Sequence, residues 1–210
     1  MDQPCESVGA VSKGSLRMAP LSDVVTTPTV TRPSAIAAPK GENLRSAIFR
    51  KSSQSKKLVL CYDPSRASKA IPTSDMVSAI SNAANAWNAG CNVNFEYAGL
   101  CQSIGYYDHI VGWDEELAVS KKALAVAEIG RGGVTLSADS DALSANLDQT
   151  TTHELGHIIG LVHSPDLKDI MYGGGTMQRK KAGLSPTPSE ADFDKCNRAM
   201  QSRFGIPYEP

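Results

Sequence analysis

Apolar residues recur along the chain in two rhythms. Residues 57–62 (Lys-Leu-Val-Leu-Cys-Tyr) form a β-branched, apolar run closed by Asp63-Pro64, which predicts a first strand. After Thr73, a candidate helix cap, Met76, Val77, Ile80, Ala83, Ala84 and Trp87 fall on one face at helical spacing, predicting a helix over 73–88 with Trp87 in the core. Alternation returns at 93–97 and 109–113, both read as strands. A further apolar run at 124–129 leads through Gly132-Gly133 to a strand at 134–137. Near the end, Thr187-Pro188-Ser189-Glu190 predicts a helix start, with Thr187 as cap, Pro188 in the first position and Glu190 as capping-box partner. Phe193, Cys196, Met200 and Phe204 would be its buried stripe, stopped by Gly205 and Pro207. No internal repeat is visible.

Residues 1–56 lack both rhythms. They are rich in Ser, Thr and Pro, and Phe49 is their one aromatic residue, so they have little apolar surface to offset the entropy of ordering. Pro28, Pro33 and Pro39 bracket an extended linker, and residues 43–50 suit a short helix. The expected organisation is a low-complexity extension over 1–56, a candidate propeptide, ahead of a single domain over 57–210. With 21 basic and 22 acidic residues and a formal charge of -1, the chain offers no electrostatic case for nucleic acid or an anionic membrane. No apolar run reaches transmembrane length, and Met1-Asp2-Gln3-Pro4 has neither the basic start nor the apolar run of a signal peptide. We expect a monomer.

The chain has five cysteines: Cys5, Cys61, Cys91, Cys101 and Cys196. None sits in a Cys-x-x-Cys pair, which argues against a zinc knuckle. Cys91 and Cys101 flank one predicted strand and suit a local disulfide, leaving Cys61 to pair with Cys196 across the domain. Some could equally be small buried apolar residues. Two disulfides, and with them an extracellular setting, are the expectation.

The densest chemistry lies in His153-Glu154-Leu155-Gly156-His157-Ile158-Ile159-Gly160-Leu161-Val162-His163. His157 lies four positions after His153, so on a helix both imidazoles share a face. Glu154 stands beside them as a candidate general base. Gly160 can end the helix and let the chain bring His163 back as a third ligand. Three protein nitrogens on a tetrahedral zinc leave a fourth position for water, the arrangement of a catalytic site.

The pattern His-Glu-x-x-His-x-x-Gly-x-x-His with a following methionine resembles the metzincin zinc metalloproteases. Ser164 after the third histidine, with Met171-Tyr172 in the turn, is similar to the matrixin branch, the matrix metalloproteinases and their bacterial relatives. An astacin would carry glutamate at that position and an adamalysin aspartate. Leu184-Ser185 and the helix closing at Phe204-Gly205 also resemble the end of a matrixin domain.

The resemblance implies an α+β fold: a twisted mixed sheet of about five strands, a backing helix, a zinc-binding helix and a C-terminal helix. It implies a zinc endopeptidase with His153, His157 and His163 on one catalytic Zn²⁺ and Glu154 as base, acting on protein or peptide. Met171 would form an apolar floor beneath the histidines. Tyr172 would either assist an oxyanion or pack. The strand at 134–137 would be the sheet edge bordering the cleft. Calcium is a candidate second ion near Asp139 and Asp141, whereas His109 stands alone and the histidines of a structural zinc are missing, so a second zinc is not expected. Matrixin zymogens block their zinc with a propeptide cysteine, and Pro4-Cys5 is reminiscent of it, although Glu6 stands where glycine would be expected. Gly173-Gly174-Gly175 replaces the proline that many matrixins carry, so the resemblance does not predict the wall of the primed-side specificity pocket. Two rival functions remain: a catalytically silent zinc-binding or adhesion module on the same fold, and a zinc hydrolase acting on something other than peptide. Glu154 counts against the first, since a pure binding site needs no base.

Overall fold

A computed structural model describes residues 54–103, 105–114, 124–130, 132–137 and 141–209. Residues 1–53 of the N-terminal extension, with Cys5 and the predicted helix at 43–50, lie outside the described residues, as do Asp139 and the side chain of Asp141, while its last residue, Lys56, already belongs to the first strand. The elements run β1 (Lys56–Tyr62), α1 (Thr73–Gly90), β2 (Val93–Leu100), β3 (His109–Asp114), β4 (Ala125–Ala127), β5 (Val134–Ser137), α2 (Asp141–Ala145), α3 (Leu147–Ile159), α4 (Thr176–Lys181) and α5 (Glu190–Phe204). The fold is α+β. The five strands form one mixed sheet in the order β2-β1-β3-β5-β4. β1 runs parallel to β2 and β3, β3 parallel to β5, and β4 antiparallel to β5.

This order corrects the expected cleft edge. Val134–Ser137 is interior, hydrogen-bonded on both sides, and Val134, Leu136 and Ser137 are buried. The edge is Ala125–Ala127, three half-buried residues. Local alternation is enough to mark 134–137 as a strand, but only the antiparallel return of 125–127 decides which of the two lies outside. The run at 124–129 shortens accordingly to a three-residue strand.

The core lies between the sheet and two helices, α1 and α3, packed against each other. The inward face of α1 carries Met76, Ile80, Ala83, Ala84 and Trp87, as its spacing requires. Trp87 is wholly buried, and its indole N–H donates to Thr152 O of α3 at 2.8 Å. Truncating a core ring of this size costs about 3–5 kcal/mol. No helix among the described residues is long and apolar enough to cross a membrane.

Three local readings need correction. Thr73 is the first residue of α1 rather than its cap, since Pro72 holds the cap position with no side-chain bond. The cap of α5 lies two residues beyond the predicted one: Ser189 accepts from Asp192 N–H, and Asp192 accepts from Ser189 N–H, a reciprocal capping box. Pro188 therefore precedes the cap, and Glu190 is exposed in the first turn. Phe204 is 39% exposed, because the last turn of α5 emerges from the core, and Lys56 Nζ sits 5.2 Å from its ring centroid.

Two disulfides form, with the pairing exchanged: Cys61–Cys101 and Cys91–Cys196. Cys91 and Cys101 lie at opposite ends of the eight-residue β2. An extended strand of that length spans about 26 Å, far beyond the roughly 7 Å limit of a disulfide. Instead Cys101 meets the end of β1, and Cys91, at the end of α1, meets the middle of α5.

Candidate metal centre

The active geometry starts from how α3 ends. Gly160 has φ 112°, a left-handed conformation that favours glycine. Its N–H donates to His157 O and Leu161 N–H donates to Gly156 O, a Schellman closure of the helix. The chain reverses there and carries His163 back over the histidine face. A second closure follows: Ser164 N–H donates to Met171 O and Gly173 N–H to Ser164 O, so residues 164–173 fold into a loop whose far side returns beneath α3.

His153, His157 and His163 come together, with one ring nitrogen from each within 4.8 Å of the others. His153 Nδ1 donates to Ile170 O and His157 Nδ1 to Leu161 O, each at 2.8 Å. That fixes the tautomer and leaves each Nε2 with a free lone pair, the form that binds metal. Burial holds His153 well below the ordinary imidazole range, at about 4, against the opposing pull of its bond to Ile170, and also lowers His157. Both rings are neutral at pH 7.

The donor set fits zinc. Two nitrogens on a tetrahedral zinc, each about 2.0–2.1 Å from it, lie about 3.3 Å apart. His157 Nε2 and His163 Nε2 are 3.2 Å apart. Beside them Glu154 is buried, and its Oε2 has no hydrogen-bond partner. Burial pushes its carboxyl up to about 8, and a nearby cation would draw it back down. A cavity of about 550 Å³ opens against this group, with His153, Glu154 and His163 on one wall and the loop and helix from Tyr172 to Lys181 on another. Leu124 and Ala125, at the start of edge strand β4, line it as well.

Met171 is wholly buried directly below α3. A Cβ on Gly156 would fall 2.2 Å from its Sδ, so only glycine lets the sulfur approach this closely. Tyr172 OH donates to Gln178 Oε1 at 3.3 Å and its ring occupies the space a Cβ on Gly174 would need, which favours packing over oxyanion assistance. His109 is not part of the site: its Nδ1 bonds Gly132 O on the β5 side of the sheet.

Several supporting residues were not anticipated. Asp169 accepts from Ser164 Oγ at 2.6 Å, Lys195 Nζ at 2.7 Å and Ser189 Oγ at 2.8 Å. Asp192 Oδ2 accepts from Ile170 N–H at 2.7 Å. The start of α5 thus anchors the loop whose Ile170 carbonyl orients His153. Arg179, buried behind α4, donates to Leu167 O and Lys168 O of the same loop. A capping-box pattern at Ser189-x-x-Asp192 was the available signal for Asp192; the other links join residues too far apart in sequence to leave one.

The matrixin family model matches residues 53–191, about two thirds of the chain. The chain belongs to the matrixin family. Matrixins are zinc-dependent metallopeptidases, and the three-histidine cluster of this matrixin suits that chemistry. No curated protein matches the chain.

Proposed function

We propose that this matrixin is a zinc endopeptidase, with His153, His157 and His163 as ligands of one zinc and Glu154 as general base and acid. The observation that carries this reading is the convergence of three histidine nitrogens beside the buried Glu154 carboxyl, on the wall of an open cavity. When bound, zinc supplies Lewis acidity, which acidifies a water and polarises a carbonyl. The carbonyls of Ile170 and Leu161 hold the imidazoles in the binding tautomer. The Glu154 carboxylate takes the proton of the attacking water and passes it to the leaving amine. Met171 serves as the methionine-turn floor, keeping the rings packed and dry from below. A peptide strand laid along β4 would pair with its outer edge and pass its scissile carbonyl beside Glu154.

Residues 1–56 are read as a propeptide ahead of a catalytic domain over 57–210, and Cys5 as a candidate thiol for the zinc. The two disulfides suit an oxidising, extracellular compartment. The deciding experiment pairs zinc analysis with digestion of a mixed peptide library, with and without chelator, for the wild type and Glu154→Ala. One zinc per chain in both proteins is expected, with chelator-sensitive cleavage by the wild type and a loss of about 10²–10⁴-fold in the variant. Near-normal cleavage by Glu154→Ala would overturn the assignment of the base. Zinc without cleavage of any peptide would favour a binding module.

A further inference from the structure

We propose that the cavity beside the histidines seats an acidic side chain of the substrate next to the scissile bond, and that Lys181 is the residue selecting it. The proposal rests on the peptidase reading above and names its substrate class. The far end of the cavity is built by α4, which carries three consecutive cations, Arg179, Lys180 and Lys181. Two are committed elsewhere. Arg179 is buried with its guanidinium on Leu167 O and Lys168 O, and Lys180 Nζ bonds Ala145 O. Lys181 alone of the three lines the cavity, and no ion pair or hydrogen bond engages it among the described residues.

The remaining wall does little to offset that charge. Gly173, Gly174 and Gly175 contribute only backbone, and Tyr172 and Gln178 are tied to each other. The one acidic lining residue is Glu154, on α3 beside the histidines. α4 meets α3 at its first residue, where Thr176 Oγ1 bonds Thr150 Oγ1. Lys181 lies five residues further on, about 7.5 Å along the axis. Leu124 and Met177 supply apolar wall for a methylene stem, and the lysine supplies the charge for its end. An unpaired cation on a concave wall draws ligands of the opposite sign to its end of the cavity. A glutamate-like side chain therefore fits better than its amide or a basic residue.

The test compares matched peptides bearing Glu, Gln or Lys at each position flanking the cleaved bond, using full-length zinc-loaded wild type, Lys181→Glu and Lys180→Glu. Binding of the same peptides to the Glu154→Ala protein is measured in parallel. The wild type should prefer Glu over Gln by about three- to tenfold at one flanking position, and less at high salt, as expected for a solvent-accessible ion pair. Lys181→Glu should invert the order in favour of Lys, while Lys180→Glu, the same charge change turned away from the cavity, should keep the Glu preference. Equal use of Glu and Gln by the wild type, or an unchanged profile in Lys181→Glu, would overturn the proposal and leave the peptidase reading standing. Absence of any cleavage or peptide binding by the wild type would remove both.

Discussion

Gly156 shows how closely a single position is constrained. The zinc pattern leaves this position unrestricted, yet an added Cβ would lie 2.2 Å from Met171 Sδ and 3.0 Å from the Trp87 ring. Ala gains about 1 kcal/mol in helix propensity over Gly, while overpacking a filled core costs about 1–3 kcal/mol. We expect Gly156→Ala to be destabilising by thermal melting, and the loss to shrink in a Met171→Ala background, because the two side chains compete for one space. Additive effects in that double-mutant cycle would show that the sulfur does not occupy the space. The clustering of His153, His157 and His163 was legible in the sequence because their spacing is local. Asp169 was not, because its value comes from Ser164, Ser189 and Lys195 meeting it from three segments. Its carboxyl is half of that story: burial alone would raise its pKa, but bonds from Lys195, Ser164 and Ser189 hold it below the usual carboxylate value. A depressed folded pKa means stability that is present above the unfolded value of about 4 and is lost as pH falls through the folded one. The destabilisation of Asp169→Asn, measured by denaturant unfolding in chelator, should therefore be largest near neutral pH and fade below about pH 4. A difference that does not change with pH would rule out an ionised Asp169 as the anchor.

Helix α3 presents the same lesson at the level of an element. Its histidine face and its glycine stop follow from the sequence, but the group that holds its end does not. Arg203, from the last turn of α5, donates to Ile158 O and Ile159 O, carbonyls left open where the helix stops, and to Gly130 O at 2.8 Å. Gly130 N–H in turn donates to His157 O at 2.7 Å. One guanidinium thus joins the end of the histidine helix to the turn between β4 and β5, and its charge lies at the negative end of the helix dipole. The sequence offered only an arginine near a helix end, where the obvious partners are the carbonyls of its own helix. We expect Arg203→Met to cost about 1–2 kcal/mol and to speed amide exchange at Gly130 and Leu161 more than within β1 or β2. Uniform exchange changes across the domain would mean that the arginine contributes to global stability alone. The misplaced cap of α5 has a related cause. Thr187 and Glu190 satisfy the familiar spacing, but Asp192 serves both Ser189 and Ile170, and that second, distant bond selects the later start.

Across the whole molecule, strand identity was readable from local pattern, whereas strand order and cysteine pairing depend on which elements meet in space. The disulfides make this difference measurable. Cys91–Cys196 spans a sequence separation of 105 and Cys61–Cys101 one of 40. If both act by restricting the unfolded chain, the longer loop contributes more by about 0.9 kcal/mol, a modest excess. Position should matter more. Cys61–Cys101 ties β1 to the end of β2, which forms the sheet edge opposite β4 and the cavity. Cys91–Cys196 ties α1 to α5, the helix whose Ser189, Asp192 and Lys195 hold the 164–173 loop and, through Ile170, His153. Replacing either pair by serine should lower the melting temperature, since losing a native disulfide typically costs 2–5 kcal/mol. The two losses should part company at the metal. Removing Cys91 and Cys196 frees the support of the histidine site, so zinc should be surrendered to a competing chelator faster and at lower concentration. Removing Cys61 and Cys101 should leave zinc retention close to that of the wild type at temperatures where the domain remains folded. Equal zinc loss from the two variants at matched stability would mean that α5 does not transmit its position to the histidines, and that the anchoring by Asp192 and Asp169 is confined to the loop itself.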